Sequence, residues 1–243
     1  MKISAKTDIG LKRSANQDSF RSGMLTKENI AWAVVCDGMG GMAAGNIASE
    51  QAVEVISKAL EQNLSPKSSS KFIFNLLKTS VDSANATVFD MASKNVELRG
   101  MGTTVVSFVV KDNIAHLIHA GDSRAYIFQN DELLQITTDH SVVQTMVESG
   151  QITQDEAEHH PNKNIITRAV GVAPSIETDM SELSLGSGDI ILLCTDGLTN
   201  CVDAELIKNT IIDTEFSVLA DKLVDLANQN GGNDNITVVA FKL

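Results

Sequence analysis

Between residues 104 and 128 three β-rich runs follow one another with almost nothing between them. TVVSFVV (104–110) and IAHLIHA (114–120) are separated by Lys111-Asp112-Asn113, and RAYIF (124–128) is followed at once by Gln129-Asn130-Asp131. Connections this short, built from Asn and Asp, reverse the chain as hairpins, whereas a parallel crossover needs about a dozen residues or more. The chain is thereby committed to antiparallel neighbours. Further apolar runs at 30–36 (IAWAVVC), 190–195 (IILLCT) and 236–242 (ITVVAFK) supply more strands. Helical periodicity occupies 43–62, where Ile47, Ala48, Ala52, Ile56 and Leu60 share a face, and recurs in 71–94 and 215–229. Ser65-Pro66-Lys67-Ser68-Ser69-Ser70 reads as a loop ending at a helix cap. The predicted class is α+β. With 243 residues, 43% of them apolar, one continuous core suffices, so a single domain over 1–243 is expected. The polar stretch 141–164, which holds Gly150 and His160-Pro161, is expected as a mostly helical surface segment.

Charge and cysteine content exclude several classes of partner. A net charge of −12 repels a phosphate backbone, and 4% aromatic residues provide no stacking platform, so nucleic acid is not expected as a partner. Cys36, Cys194 and Cys201 lack metal-site spacing, and their odd number argues for reduced thiols in a cytoplasmic setting. The N-terminal MKISAKTDIG has no apolar stretch of the export type. Every hydrophobic run is interrupted by Asp, Lys or Asn before the ~18 residues of a membrane span. A cytoplasmic monomer that does not contact the membrane is the expectation.

The chemistry is concentrated where apolar strands meet glycine. Asp37-Gly38 follows AWAVVC, Asp196-Gly197 follows ILLCT, and Gly232-Asn233-Asp234-Asn235 precedes ITVVAF. One Asp-Gly is ordinarily a turn. Three at the ends of buried strands place carboxylates at the rim of the core, where unneutralised charge is costly and a cation relieves it. Oxygen ligands without His or Cys partners suit Mg²⁺ or Mn²⁺ better than zinc. Asp122, in His119-Ala-Gly-Asp-Ser-Arg124, and Asp18, in the run from Gly10 through Arg13 to Gln17-Asp18, add two carboxylates and an arginine.

Taken together, GLKRSANQD, VVCDGMGG, GMGTT, AGDSRAY, TTDHS, HPNKNIITRAVG, LLCTDGLT and GGNDNITV stand in the order found in the bacterial PPM family, the type 2C serine/threonine protein phosphatases, which this chain resembles from residue 3 to 242. The resemblance implies two packed antiparallel sheets flanked by helices (α-β-β-α layers), a flap over 141–164, and a metal centre at one end. It implies two tightly bound Mn²⁺ or Mg²⁺ ions, with a third held more weakly. Asp37 would bridge the pair, the Gly38 carbonyl would bind the second ion, Asp196 and Asp234 would hold the first, and Asp18 would face the second through water. Asp122 would join Asp196 at the third. Arg13 would clamp the substrate phosphate, which makes Arg13, Asp37 and Asp196 the catalytic set. Phosphorylated proteins and a cognate serine/threonine kinase are the implied partners.

Cation-activated water needs no covalent intermediate, and the sequence has neither a Cys-x5-Arg loop nor a P-loop. The resemblance breaks at one point. Where relatives carry a histidine beside the Asp-Gly turn, this chain has Met39 and Met42, so metal-associated water is the remaining proton source for the leaving group. His119 is expected in the core, His140 to orient a loop, and His160 to be structural. A small-molecule phosphatase on the same fold, or a PPM-fold signalling module without catalysis, are the alternatives.

Overall fold

The computed structural model describes every residue except 26–28, and the side chains of all of these but Met42 and Ala43. A five-stranded and a six-stranded antiparallel sheet are stacked face to face with helices outside each. The first has the order β1 (Lys2–Asp8), β11 (Ile236–Lys242), β10 (Ile190–Cys194), β7 (Arg124–Gln129), β8 (Glu132–Gln135). The second has β2 (Asp18–Leu25), β3 (Ile30–Met39), β5 (Val105–Lys111), β6 (Ile114–Ala120), β9 (Asp179–Ser184), with β4 (Gly102–Thr103) pairing on the end of β3. The two short connections are the expected hairpins. Asp112 and Asn113, then Asn130 and Asp131, all take positive φ between 51° and 61°, the two-residue turn that matches strand twist and that Asn and Asp tolerate.

Residue alternation distributes the strands between layers. Along β3, Ala31, Ala33 and Val35 face the other sheet, in a core with Phe108, Ile191, Leu193 and Phe241, while Trp32, Val34 and Cys36 face the helices. Both faces are covered, which is why IAWAVVC is apolar without interruption. The rings of Phe108 and Phe241, from different sheets, lie 5.5 Å apart.

Helices α1 (Gly41–Asn63) and α2 (Ser70–Lys94) cover the six-stranded sheet. Ala48, Ala52, Ile56 and Leu60 are fully buried at four-residue spacing, and the small alanines let α1 lie close to β3. Ser69 caps α2, its hydroxyl accepting from the Phe72 amide, as the serine-rich loop predicts. On the opposite side α6 (Ala204–Asp213) and α7 (Leu219–Gln229) cover the five-stranded sheet through Ile207, Ile211, Leu219 and Leu223. Periodicity over 215–229 corresponds to α7 preceded by a 3₁₀ turn, Phe216–Val218. The stretch 141–164 contains α3 (Val142–Glu148) and α4 (Gln154–Glu158), the latter started by a capping box between Thr153 and Glu156. Among the described residues no helix is long and apolar enough to cross a membrane.

Candidate metal centre

Antiparallel pairing brings the strand-end carboxylates to one end of the sandwich. Asp18 at the start of β2 stands directly opposite Asp37 near the end of β3. Asp122 lies in the turn that carries the chain from β6 in one sheet to β7 in the other. Asp196 opens the short helix α5 (Asp196–Thr199) just beyond β10, and Asp234 comes two residues before its neighbour β11. Arg13, Asp37, Gly38, Asp122, Asp196 and Asp234 line one cleft of about 480 Å³.

Gly38 occupies a place where no side chain fits: a Cβ there would meet the Gly45 carbonyl oxygen at 2.0 Å and that of Gln17 at 2.7 Å. Its amide donates to the Gln17 carbonyl at 3.0 Å, so β3 continues into the cleft with its backbone against α1. Asp37 is held from the other side, its amide donating to Thr104 Oγ1 at 2.9 Å. Asp18 is not among the cleft-lining residues. It is buried behind them, where its Oδ2 accepts from the hydroxyls of Thr195 (2.8 Å) and Thr237 (2.7 Å) on the opposite sheet. Arg13, half exposed at the rim, places Nη2 2.6 Å from Asp234 Oδ2.

Crowding carboxylates away from water opposes their ionisation. Burial, then the charges of Asp196 and Asp234, push Asp18 up to about 7. Burial, then Asp196 and Asp139, push Asp122 to the same value. Asp37 is raised well above the usual carboxylate range by burial and by Asp18, Asp196, Asp122 and Asp234, and Asp196 is raised by burial and Asp234. Two oxygens, Asp18 Oδ1 and Asp196 Oδ1, meet no hydrogen-bond donor among the described residues although both are buried. A buried anionic oxygen left without a donor is strongly unfavourable. Carboxylates, a glycine backbone and unpartnered acceptors form a donor set for a hard divalent cation, so the residues present fit Mg²⁺ or Mn²⁺.

A second cluster has the spacing for a metal but different chemistry. Donor atoms of His119, His140 and Asp179 lie within 4.8 Å of one another. The two imidazoles are stacked, with centroids 4.5 Å apart. Three of their four ring nitrogens are already engaged: His119 Nε2 with the Thr138 carbonyl (3.0 Å), His140 Nδ1 with the Gly121 amide (3.2 Å), and His140 Nε2 with Asp179 Oδ2 (3.3 Å). Arg168 also donates to Asp179 at 2.8 Å. This cluster is a hydrogen-bonded clamp, which agrees with a core His119 and a loop-orienting His140. His160 Nδ1 accepts from the Asn162 amide in its own turn.

Met39 lines the cleft, whereas the side chain of Met42 lies outside the described residues. Cys36 and Cys194 are buried, and burial pushes the first thiol far above its ordinary value and the second up to about 12, so neither is a nucleophile. Sequence reasoning missed Thr195 and Thr237, whose hydroxyls hold Asp18. It also missed Asn235, which donates to the Ile9 and Ala15 carbonyls while accepting from the Gln17 amide. Asn164 and Ile166, which also line the cleft, were missed as well. Thr104, Asn164 and Asn235 stand inside the quoted motifs, but residue type alone does not separate them from ordinary loop residues.

Residues 12–236 match the family model described as Protein phosphatase 2C. The chain is 37% identical over 236 residues to the serine/threonine phosphatase stp of Listeria innocua, covering 96% of this chain and 92% of that one. Its fold matches the solved serine/threonine phosphatase of S. agalactiae with a TM-score of 0.91 at 34% identity, over 100% of this chain and 99% of that one. It also matches the catalytic domain of the serine threonine protein phosphatase PstP solved with 2 manganese ions, with a TM-score of 0.86 at 33% identity, over 98% and 96% of the two chains.

Proposed function

The chain belongs to the protein phosphatase 2C family, and from that premise we propose that its acidic cleft hydrolyses phosphoserine and phosphothreonine in proteins. The observation that carries this reading is the pair of buried carboxylate oxygens that meet no donor among the described residues, inside an all-oxygen cluster at a cleft with an arginine at its rim. Asp37, Asp196 and Asp234 would hold a tight pair of Mn²⁺ or Mg²⁺ ions, with the Gly38 carbonyl as a further ligand. Asp18 would support them from behind, and Asp122 with Asp196 would serve a weaker third ion. When bound, such cations neutralise phosphate charge and lower the pKa of water for in-line attack.

Arg13 grips the phosphate oxygens. A guanidinium fork does this bidentately, and its present pairing with Asp234 keeps it at the rim where phosphate enters. Met39, a thioether, has no proton to give the leaving alkoxide, so that proton comes from water. A groove of about 730 Å³ runs from Asp122, Asn164 and Asp196 between the 141–164 flap and the start of α6. It takes the chain flanking the phosphorylated residue. We read the protein as a single-domain, cytoplasmic monomer that opposes a serine/threonine kinase.

The test is a panel of phosphoserine and phosphothreonine peptides, nucleotides and sugar phosphates assayed after chelation and after Mn²⁺ is restored. Peptide turnover that requires Mn²⁺ supports the reading. Preference for nucleotides or sugar phosphates transfers the function to small molecules, and turnover of nothing leaves a signalling module.

A further inference from the structure

We propose that His140 is a positioning residue that sets the Gly121-Asp122 turn, and with it the weaker cation site, from the base of the flap. The inference rests on the proposed role of Asp122 as a metal ligand.

The turn is gripped from both sides. Gly121 has φ of +114°, and a Cβ there would meet Thr104 Cγ2 at 2.6 Å, so Asp122 leaves the sheet along a path open only to glycine. On one side the Ser123 and Thr104 hydroxyls lie 2.7 Å apart, and Thr104 Oγ1 accepts from the Asp37 amide at 2.9 Å. On the other, His140 meets Gly121 twice: the His140 amide donates to the Gly121 carbonyl at 2.9 Å, and the Gly121 amide donates to His140 Nδ1 at 3.2 Å. Arg124, just past the turn, grips Asp139 through Nε (2.9 Å) and Nη2 (2.7 Å), which anchors the residue before His140.

The hydrogen bonds also set the ring's tautomer. An amide can only donate, so His140 Nδ1 carries the lone pair and Nε2 the proton. That proton goes to Asp179 Oδ2, and Arg168 Nη1, 3.0 Å from Nε2, directs its hydrogen to Asp179 Oδ1. The His140 carbonyl accepts from the Thr167 amide at 2.7 Å, which ties the turn to the chain just past the flap. Every polar atom of His140 is thus committed between the flap base and the turn that carries Asp122. A ring needed only to fill space would not need an acceptor at Nδ1.

Three substitutions separate these roles. His140→Asn keeps an acceptor at the δ position, His140→Gln moves the polar group to the ε position, and His140→Phe keeps only the ring. Mn²⁺ calorimetry should show the tight pair retained in all three. The weaker site should lose about 10- to 100-fold in affinity in the Phe and Gln variants and be largely restored in the Asn variant. Hydrogen exchange of the Gly121 amide in metal-free protein reads the clamp without any metal: protection should persist with Asn and vanish with Phe and Gln. Equal Gly121 protection in the wild type and His140→Phe would overturn the proposal, as would Asn behaving no better than Phe at the weaker site. Wild-type protein that binds no Mn²⁺ while Gly121 protection follows the predicted order would refute the metal reading and leave the clamp standing.

Discussion

Two clusters of titratable side chains lie on either side of the Gly121-Asp122 turn. Among the described residues, only one of them holds buried carboxylate oxygens without a hydrogen-bond donor. In the clamp of His119, His140, Asp179 and Arg168 each imidazole has a partner, and desolvation lowers both histidines toward the neutral form, which the Gly121 amide donating to His140 Nδ1 requires. In the cluster of Asp18, Asp37, Asp122 and Asp196 the carboxyls are raised together, and two buried oxygens have no donor among the described residues. Distance alone favours the clamp, because its donor atoms lie close together. Hydrogen-bond accounting favours the aspartates. Buried oxygens without donors mark where a cation would be needed, and a close group held mainly by its own hydrogen bonds is part of the scaffold.

This contrast is tested most severely by Asp37→Ala. Removing the carboxylate that four acidic neighbours crowd should lower phosphopeptide turnover by at least about 10³-fold, equivalent to about 4 kcal/mol of transition-state stabilisation. The variant should melt no lower than metal-free wild type, since it relieves repulsion. Turnover near the wild-type rate would remove Asp37 from the centre.

Asp122→Ala should act more mildly, lowering kcat by about 10- to 100-fold and abolishing only the weaker class of Mn²⁺ binding. Loss of the tight pair as well would merge Asp122 with the principal ligands.

Arg13→Ala should leave Mn²⁺ binding intact and raise KM about tenfold, because one charge-assisted contact to phosphate is removed from ground and transition states alike. Unchanged kinetics would make it a rim arginine held only by Asp234.

The smallest effect is a proton count. Asp18 and Asp122, pushed up to about 7, are largely protonated in the metal-free protein at pH 6 and must ionise when a cation binds. Mn²⁺ binding at pH 6 should release at least roughly one to two protons, measured from the dependence of binding heat on buffer ionisation enthalpy, and fewer at pH 8.5. The same shifts set a sign for stability. The folded metal-free protein binds more protons than the unfolded chain between the ordinary carboxylate pKa and about 7, so this contribution to stability falls as pH rises through that window. A buffer-independent heat at pH 6 would mean that these carboxyls are already ionised.

The grouping of carboxylates at one cleft was legible because two of them sit where two strong signals meet: an uninterrupted apolar run, which marks a buried strand, and an Asp-Gly that ends it. Asp37 and Asp196 both have this form, and the hairpins at Asp112-Asn113 and Asn130-Asp131 fixed the antiparallel order around Asp122. Elements at the margins carried weaker patterns. β1, β2, β8 and β9 lie at sheet edges and mix polar with apolar residues, as in DSFRSGML and DMSELS, because cross-strand backbone bonds hold them without a continuous apolar face. α6 shows only Ile207 and Ile211 fully inward. The placement of Asp18 behind the cleft was not legible either. It depends on Thr195 and Thr237 arriving from the other sheet, 177 and 219 residues away in sequence.

The most direct test compares the two clusters in one experiment: Mn²⁺ calorimetry on Asp37→Ala and Asp179→Asn beside the wild type, after chelation. The account predicts that Asp37→Ala loses the tight binding while Asp179→Asn keeps it at wild-type stoichiometry. Tight Mn²⁺ binding that survives in Asp37→Ala and disappears in Asp179→Asn would place the metal in the histidine clamp and contradict it.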